Sequence, residues 1–402
     1  MTKSRSPTIL PPGWPVPDAA ALAVSERLLQ CIRAEIAQAD GFLPFARYME
    51  PALYAPGLGY YSAGARKFGT RGDFVTAPEV SPLFSRCIAR SCSAVLAQLG
   101  GGDLLEVGAG TGRMAVDLLR ELETQAQLPG RYLILERSGD LRERQHELLR
   151  REVPHLLDLV HWLDAPPTTA WRGMLVANEV LDALPVTLFG WRRGAVVEYG
   201  VSWKHDRMVW RERPAEPTMA ARVNGWAASF DWNDDYRSEF NPSLGPWLAG
   251  LTERLVVGAA LFVDYGYPRR EYYHHERARG TLLAHYRHRA HADPLLLPGL
   301  QDLTAHVDFT AVAEAADALG LAVGGFSSQA QYLLDVGIEQ LLADAMPAHP
   351  DGAQSDYLRL AAQAKTLLLP GEMGERFKAI LLQRGLEGRV PGFGGRDLRG
   401  RL

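Results

Sequence analysis

The chain reads as an α/β protein with one mostly parallel sheet of about seven strands and helices on both faces. Three features carry this expectation. From about Gly101, short apolar runs alternate with helical stretches. A glycine-rich run joins the first strand to the following helix. Later apolar runs close on acidic residues, at the strand ends where open α/β sheets bind their ligands.

In chain order, Leu104 to Val107 is a short apolar strand, Arg113 to Gln125 a helix, Tyr132 to Glu136 a second strand, and Leu141 to Arg151 a helix with Arg/Glu pairs. Met174 to Ala177, Ala260 to Asp264, Leu321 to Phe326 and Phe377 to Gln383 supply further strands, with helices over Ala330 to Ala345 and Tyr357 to Leu368. Ahead of this body, Ala20 to Ala39 has apolar residues at helical spacing. The stretch Phe45 to Phe84, with Pro51, Pro56, Pro78 and Pro82 among Gly57, Gly59, Gly64, Gly69 and Gly72, reads as a long functional loop system. Between the strands at 174 and 260, alternating segments at 186–191, 195–201 and 208–211 predict an antiparallel meander and then a Trp-rich loop holding Trp226 and Trp232. The stretch 268–303 is rich in His, Arg and Tyr and shows no periodicity; together the two insertions are expected to form a substrate lobe. The expected division is 1–100, an N-terminal helical and cofactor-covering segment; 101–185, the first part of the core; 186–257, the inserted lobe; 258–385, the second part of the core with its 268–303 insertion; and 386–402, a flexible Gly/Arg-rich tail.

Composition narrows the function. The 402 residues are 47% hydrophobic and 22% charged, which excludes global disorder. With 43 Lys+Arg against 47 Asp+Glu the net charge is −4, so no chain-wide positive field favours nucleic acid. Cys31, Cys87 and Cys92 are too few for a disulfide framework and form no C-x-x-C, and no apolar run suits a signal peptide or membrane insertion. These absences lead to the expectation of a cytoplasmic protein with free thiols.

The sharpest motif is Glu106-Val107-Gly108-Ala109-Gly110-Thr111-Gly112, closing a strand and opening a helix. Glycines there permit a tight turn and let helix N-terminal backbone amides approach a ligand; without a ligand, such a run is a plain connector. A dinucleotide fingerprint needs a small residue at position 113, which is Arg113, and this argues against a nicotinamide oxidoreductase. The G-x-G-x-G spacing of Gly108, Gly110 and Gly112 suits S-adenosylmethionine (SAM), with Glu106 available to the cofactor's ammonium group. Glu136, 24 residues after Gly112 at the next strand end, is placed to accept both ribose hydroxyls.

Asn178, Glu179 and Asp182 end a later strand, where they meet cofactor or acceptor or else cap the next turn. Asp264, beside Tyr265, closes another. In Asp302 to Phe309, Asp302 or Thr304 suits a helix cap, while His306 and Asp308 have a claim to the cleft. His285, His288 and His291 recur at intervals of three but lack an accompanying ligand set, so no metal is expected.

Taken in order, Tyr48-Met49-Glu50, Leu53-Tyr54, Gly59-Tyr60-Tyr61, the run Gly72 to Phe84, Glu106 to Gly112, Leu141 to Gln145, Asn178-Glu179, Asp182 to Pro185, Asp264 to Gly266 and Asp302 to Phe309 resemble the MidA-like SAM-dependent methyltransferases over about residues 25–385. Val180 and Leu181 depart from that pattern, where a bulkier aromatic pair is expected. The resemblance implies a class I methyltransferase (Rossmann-like) core, Asp73, Phe74 and Thr76 closing over the cofactor, and a protein substrate methylated on arginine. One branch includes the mitochondrial complex I assembly-factor methyltransferase, which extends the implication to a respiratory-complex subunit. For arginine chemistry the expected catalytic groups are Glu179, Asp182 and Asp264, with Tyr265 and His306 orienting or relaying protons; Glu106, Gly108, Gly110, Gly112, Glu136 and Asn178 are expected to hold the cofactor. A small-molecule methyltransferase and a non-catalytic assembly scaffold stay open as alternatives.

Overall fold

The computed structural model describes residues 10–62, 75–346 and 354–402. The chain folds as two compact units, each assembled from three separate chain segments.

The larger unit comprises 75–182, 244–269 and 307–402. Its sheet contains β1 (Asp103–Val107), β2 (Tyr132–Leu135), β3 (Val160–Leu163), β4 (Trp171–Asn178), β5 (Leu255–Tyr267), β6 (Val307–Asp308), β7 (Ala322–Ser328) and β8 (Phe377–Arg384). The order is β7-β8-β5-β4-β1-β2-β3, with β6 pairing beside the end of β5. β8 runs antiparallel to β5 and β7 antiparallel to β8; the other neighbours are parallel. Leu104, Ile134, Met174, Val176, Leu261 and Val263 belong to a core shared with the helices Pro82–Leu99 and Arg113–Thr124. On the alternate side of β5, Phe262 meets Trp247 of the helix Leu244–Thr252, while Phe309, opening the helix Phe309–Ala318, packs on Phe326 of β7. Alternation of side chains along each strand thus gives both faces an apolar cover.

Several elements escape the sequence patterns. Pro82–Leu99 is a full helix, capped by the Ser81 side chain at its start and by left-handed Gly100 at its end. Ser85, Ser91, Cys87 and Cys92 are all buried, so small polar residues on the covered face blur the apolar stripe that reveals an amphipathic helix. The stretch 45–84 contains the helix Phe45–Tyr54, which tolerates Pro51 inside it, and the single turn Ala77–Val80, so it is not loop throughout. Gly337, at φ 94°, divides the expected helix over 330–345 into Gln329–Val336 and Ile338–Asp344.

The C-terminal segment is not a free tail. Leu398 N donates to Phe326 O at 2.7 Å, Gly395 N to Asp335 Oδ2 at 3.0 Å, and Arg399 Nη1 to Val323 O at 3.1 Å. A Cβ at Gly392 would lie 2.3 Å from the Tyr332 ring, so the glycines that suggested flexibility instead allow close passage of the backbone.

The smaller unit is built from the described part of 1–74 together with 183–243 and 270–306. Its five-stranded antiparallel sheet holds the expected meander, Thr187–Arg192, Ala195–Lys204 and Arg207–Pro214, with Leu43–Pro44 and Tyr236–Phe240 on its flanks. The helix Pro217–Phe230 replaces most of the expected Trp-rich loop. Trp226 stacks on Tyr273 and Trp232 on Tyr236. The aperiodic stretch 268–303 contributes strands Leu283–Tyr286 and Arg289–His291, which join Asp302–Thr304 in a three-stranded sheet. Leu28, Ile32 and Ile36 of the helix Ala19–Gln38 share a core with Tyr48, Val201, Ala284 and Leu303.

Candidate active site

At the carboxyl end of β1, Gly108, Gly110 and Gly112 all adopt positive φ, 70°, 54° and 85°, and Gly112 caps the helix Arg113–Thr124. A Cβ on Gly108 would stand 3.0 Å from Val180 Cγ2, and one on Gly112 would stand 3.2 Å from Gln145 Cα. Only glycine combines this backbone with such close neighbours. Val180, smaller than the family resemblance led one to expect, is the side chain that a Cβ on Gly108 would meet.

Two carboxylates stand next to this loop in the chain and the sheet, Glu106 near the end of β1 and Glu136 just after β2. Glu106 is completely buried; one oxygen accepts the Tyr132 hydroxyl at 2.5 Å, and the other, Oε1, has no hydrogen-bond partner among the described residues. Burial is the main cause that pushes its pKa up to about 7, with Glu136 adding to the rise and Tyr132 opposing it. Glu136 follows β2 and is buried, its pKa also raised by burial. Ser138 N donates to its Oε1 at 2.9 Å and Gln145 Nε2 to its Oε2 at 3.1 Å, which leaves each oxygen acceptor capacity for a hydroxyl. Gln145, with no solvent exposure, bridges the site: its Nε2 also reaches Gly110 O at 2.9 Å, and its Oε1 accepts Trp162 Nε1 at 2.9 Å.

The second cluster ends β4. Glu179 has φ 54°, a left-handed conformation that a non-glycine residue holds at a cost of about 1 kcal/mol or more. Its Oε1 accepts Asn178 Nδ2 at 3.0 Å and Ala77 N at 3.4 Å. The Asn178 amide oxygen is buried with no partner among the described residues. Asp264, at the end of β5, uses Oδ2 to accept Val180 N at 3.1 Å, Leu181 N at 2.9 Å and Asp182 N at 3.3 Å, and Oδ1 to accept Tyr265 N at 2.9 Å. Burial, then Asp182, then Glu179 push its pKa well up, against the pull of these amides. Asp182 itself is buried.

Thr76 begins the turn Ala77–Val80, whose Glu79 accepts the Thr111 hydroxyl of the glycine loop. Tyr265 lies edge-on to Phe377. Asp73 and Phe74 lie outside the described residues. His306 belongs to the smaller unit, where its backbone N–H donates to Thr281 Oγ1. Of the two acids beside it, Asp308 is a helix cap, accepting Thr310 N at 3.1 Å and Ala311 N at 3.2 Å and pairing with Arg269 at 2.9 Å; it has no free claim to a cleft. Asp302, expected as a cap, lies within a strand and accepts the Tyr61 hydroxyl at 3.0 Å. Among the described residues no group of three or more His, Cys, Asp and Glu is arranged to hold a metal, and no helix is long and apolar enough to cross a membrane.

The groups at β1, β2 and β4 fit one cofactor chemistry. A carboxylate oxygen without a partner suits an ammonium, a carboxylate with spare acceptors suits a diol, and an amide oxygen without a partner suits an N–H donor. Such a glycine loop on a sheet of this order defines a SAM-binding class I methyltransferase. A family profile of SAM-dependent methyltransferases, Methyltransf_28, matches residues 87–327, and the chain belongs to that family. A Burkholderia thailandensis protein crystallised with S-adenosyl-homocysteine is 44% identical, with 96% of this chain and 100% of that one covered at a TM-score of 0.91. The zebrafish (Danio rerio) protein arginine methyltransferase NDUFAF7, mitochondrial, is 28% identical over 91% of this chain and 89% of its own length; the human protein of the same name is 27% identical over 87% and 82%.

SAM is therefore the cofactor and the protein is a methyltransferase. The cytoplasmic expectation is overturned by these comparisons, because the zebrafish, human and Caenorhabditis elegans relatives are all named as mitochondrial. That expectation came from missing signals, and a missing apolar segment says nothing of compartment.

Proposed function

We propose that this methyltransferase modifies an arginine of a protein substrate, with Glu179 and Asp182 holding the guanidinium. The observation that carries this reading is the strained acidic turn, in which Glu179 sits at φ 54° beside buried Asp182 at the end of a core strand. The relatives named as protein arginine methyltransferases support it. Guanidinium remains charged at any physiological pH and presents a planar fork of N–H donors, so carboxylates are the groups suited to bind and align it. Bound SAM supplies a methyl group on a cationic sulfur, a leaving group that needs no further activation. As the acceptor nitrogen bonds to the methyl carbon and the carbon–sulfur pair leaves with sulfur, the nitrogen sheds one proton, which the carboxylates receive. Asp264 is assigned to positioning, since both its oxygens are engaged by backbone amides. Tyr265 follows Asp264 on β5 and is assigned to orientation. On the cofactor side, Glu106 is assigned to the ammonium group, Glu136 to the ribose, and Gly108, Gly110, Gly112, Asn178 and Thr76 to the cradle.

The test compares Glu179→Gln with wild type in transfer of labelled methyl groups from SAM into cell-extract proteins, followed by detection of methylarginine. Cofactor affinity by calorimetry should stay within about twofold while turnover falls about 10²–10³-fold. Full turnover by the variant would sink the assignment. Label confined to small molecules would favour a small-molecule acceptor, and no transfer by wild type would favour a scaffold.

A further inference from the structure

We propose that Tyr132 is a positioning residue that holds Glu106 ready for the cofactor's ammonium group and makes cofactor binding expel a proton from that carboxyl. The inference rests on the assignment of Glu106 to the ammonium and goes beyond it. Glu106 and Tyr132 lie on adjacent parallel strands, with Leu104 opposite Tyr132 and Glu106 opposite Ile134, so their side chains share one face of the sheet. Both are fully buried, and the Tyr132 hydroxyl donates to Glu106 Oε2 at 2.5 Å. Oε1 is equally buried and has no hydrogen-bond partner among the described residues.

An ionised carboxylate with one bare oxygen in such surroundings is costly, and the inexpensive alternative is to hold a proton. Among the described residues, the titratable groups acting on Glu106 supply no compensating positive charge. Tyr132 is one; Cys92, from the helix Pro82–Leu99, is another; burial pushes both far above their usual values and keeps them neutral. Glu136 is the third, and its charge opposes a second ionisation nearby. With its pKa near 7, the cofactor-free protein carries the Glu106 proton for much of the time below neutrality. Arrival of an ammonium at Oε1 favours the carboxylate, so the proton leaves to solvent as the ligand binds. Tyr132, whose hydroxyl donates to the charged form, fixes which oxygen is free and keeps the release within the physiological range.

The experiment is calorimetric titration of the full-length protein with S-adenosyl-homocysteine between pH 5.5 and 8.5, in buffers of differing ionisation enthalpy. Wild type should release close to one proton per site near pH 6, falling towards none at pH 8.5, with affinity rising about tenfold per pH unit below neutrality and levelling above. Tyr132→Phe should move the midpoint upward by about one pH unit and weaken binding at pH 7 several-fold, a shift that a purely packing role for the ring would not produce. Glu106→Gln, close in shape to wild type, should abolish proton release and flatten the pH dependence. Binding by wild type without proton release, or an unmoved midpoint in Tyr132→Phe, would overturn the inference while leaving the cofactor reading intact. No binding at any pH would remove both.

Discussion

Two turns of the core sheet, the one after β1 and the one after β4, solve the same geometric problem in opposite ways. Each must reverse the chain sharply at a strand's carboxyl end, and each does so through left-handed backbone. After β1 the positions are glycines, free of a side-chain penalty and open to a ligand's approach. After β4 the position is Glu179, which carries a strain that glycine would avoid. In the proposed reading the first turn lets backbone meet the ligand and the second presents a carboxylate to it. Strain at Glu179 is sustained because Asp264 ties down the next three backbone amides, a restraint the glycine loop receives in weaker form from Gln145 on Gly110 O.

Exchanging the two solutions breaks the comparison most severely. Gly110→Val places a β-branched residue at φ 54° and should weaken cofactor binding at least about 100-fold by calorimetry, with the circular dichroism spectrum retained. Binding within tenfold of wild type would mean the loop does not meet the cofactor. Next in size is Asp264→Asn. An amide nitrogen cannot accept hydrogen bonds, so some of the four N–H groups lose their acceptor; unfolding in denaturant should show a loss of about 2–3 kcal/mol, with turnover reduced as Glu179 loses its support. A stability unchanged from wild type would show that Asp264 does not hold the turn. The smallest stability effect, and the sharpest contrast, belongs to Glu179→Gly. Relief of strain should leave thermal stability level or raised by up to about 1 kcal/mol while methyl transfer is lost. A marked fall in stability would mean that Glu179 serves the fold and not the acceptor.

Much of this site can be read without coordinates because its parts are contiguous. The glycine loop, Glu106, Glu136 and Asn178-Glu179 each sit at the edge of an apolar run, where periodicity locates them. Gln145 and Tyr132 are harder. Gln145 holds the middle position of a buried stripe, Leu141, Gln145, Leu149, and an uncharged polar residue inside such a stripe is a signal that it serves a partner. Tyr132 looks like an ordinary aromatic strand residue; only strand register brings its hydroxyl to Glu106, 26 residues away. Asp308, Asp302 and Asp264 show the same gap, since an acid at a strand or helix end is equally suited to capping, positioning and catalysis until its neighbours are known.

Sequence alone determined the layered α/β core, the meander and the cofactor's chemical class, because periodicity, glycine spacing and strand-end acids are local consequences of backbone geometry. Tertiary structure decided what is non-local: that the helix Pro82–Leu99 exists, that the C-terminal segment packs down, that Asp264 serves the backbone, and that Glu106, beside a tyrosine, has one oxygen without a partner among the described residues. Each of these depends on contacts between residues far apart in the chain, and hydrogen-bond satisfaction and desolvation are settled only when those residues meet.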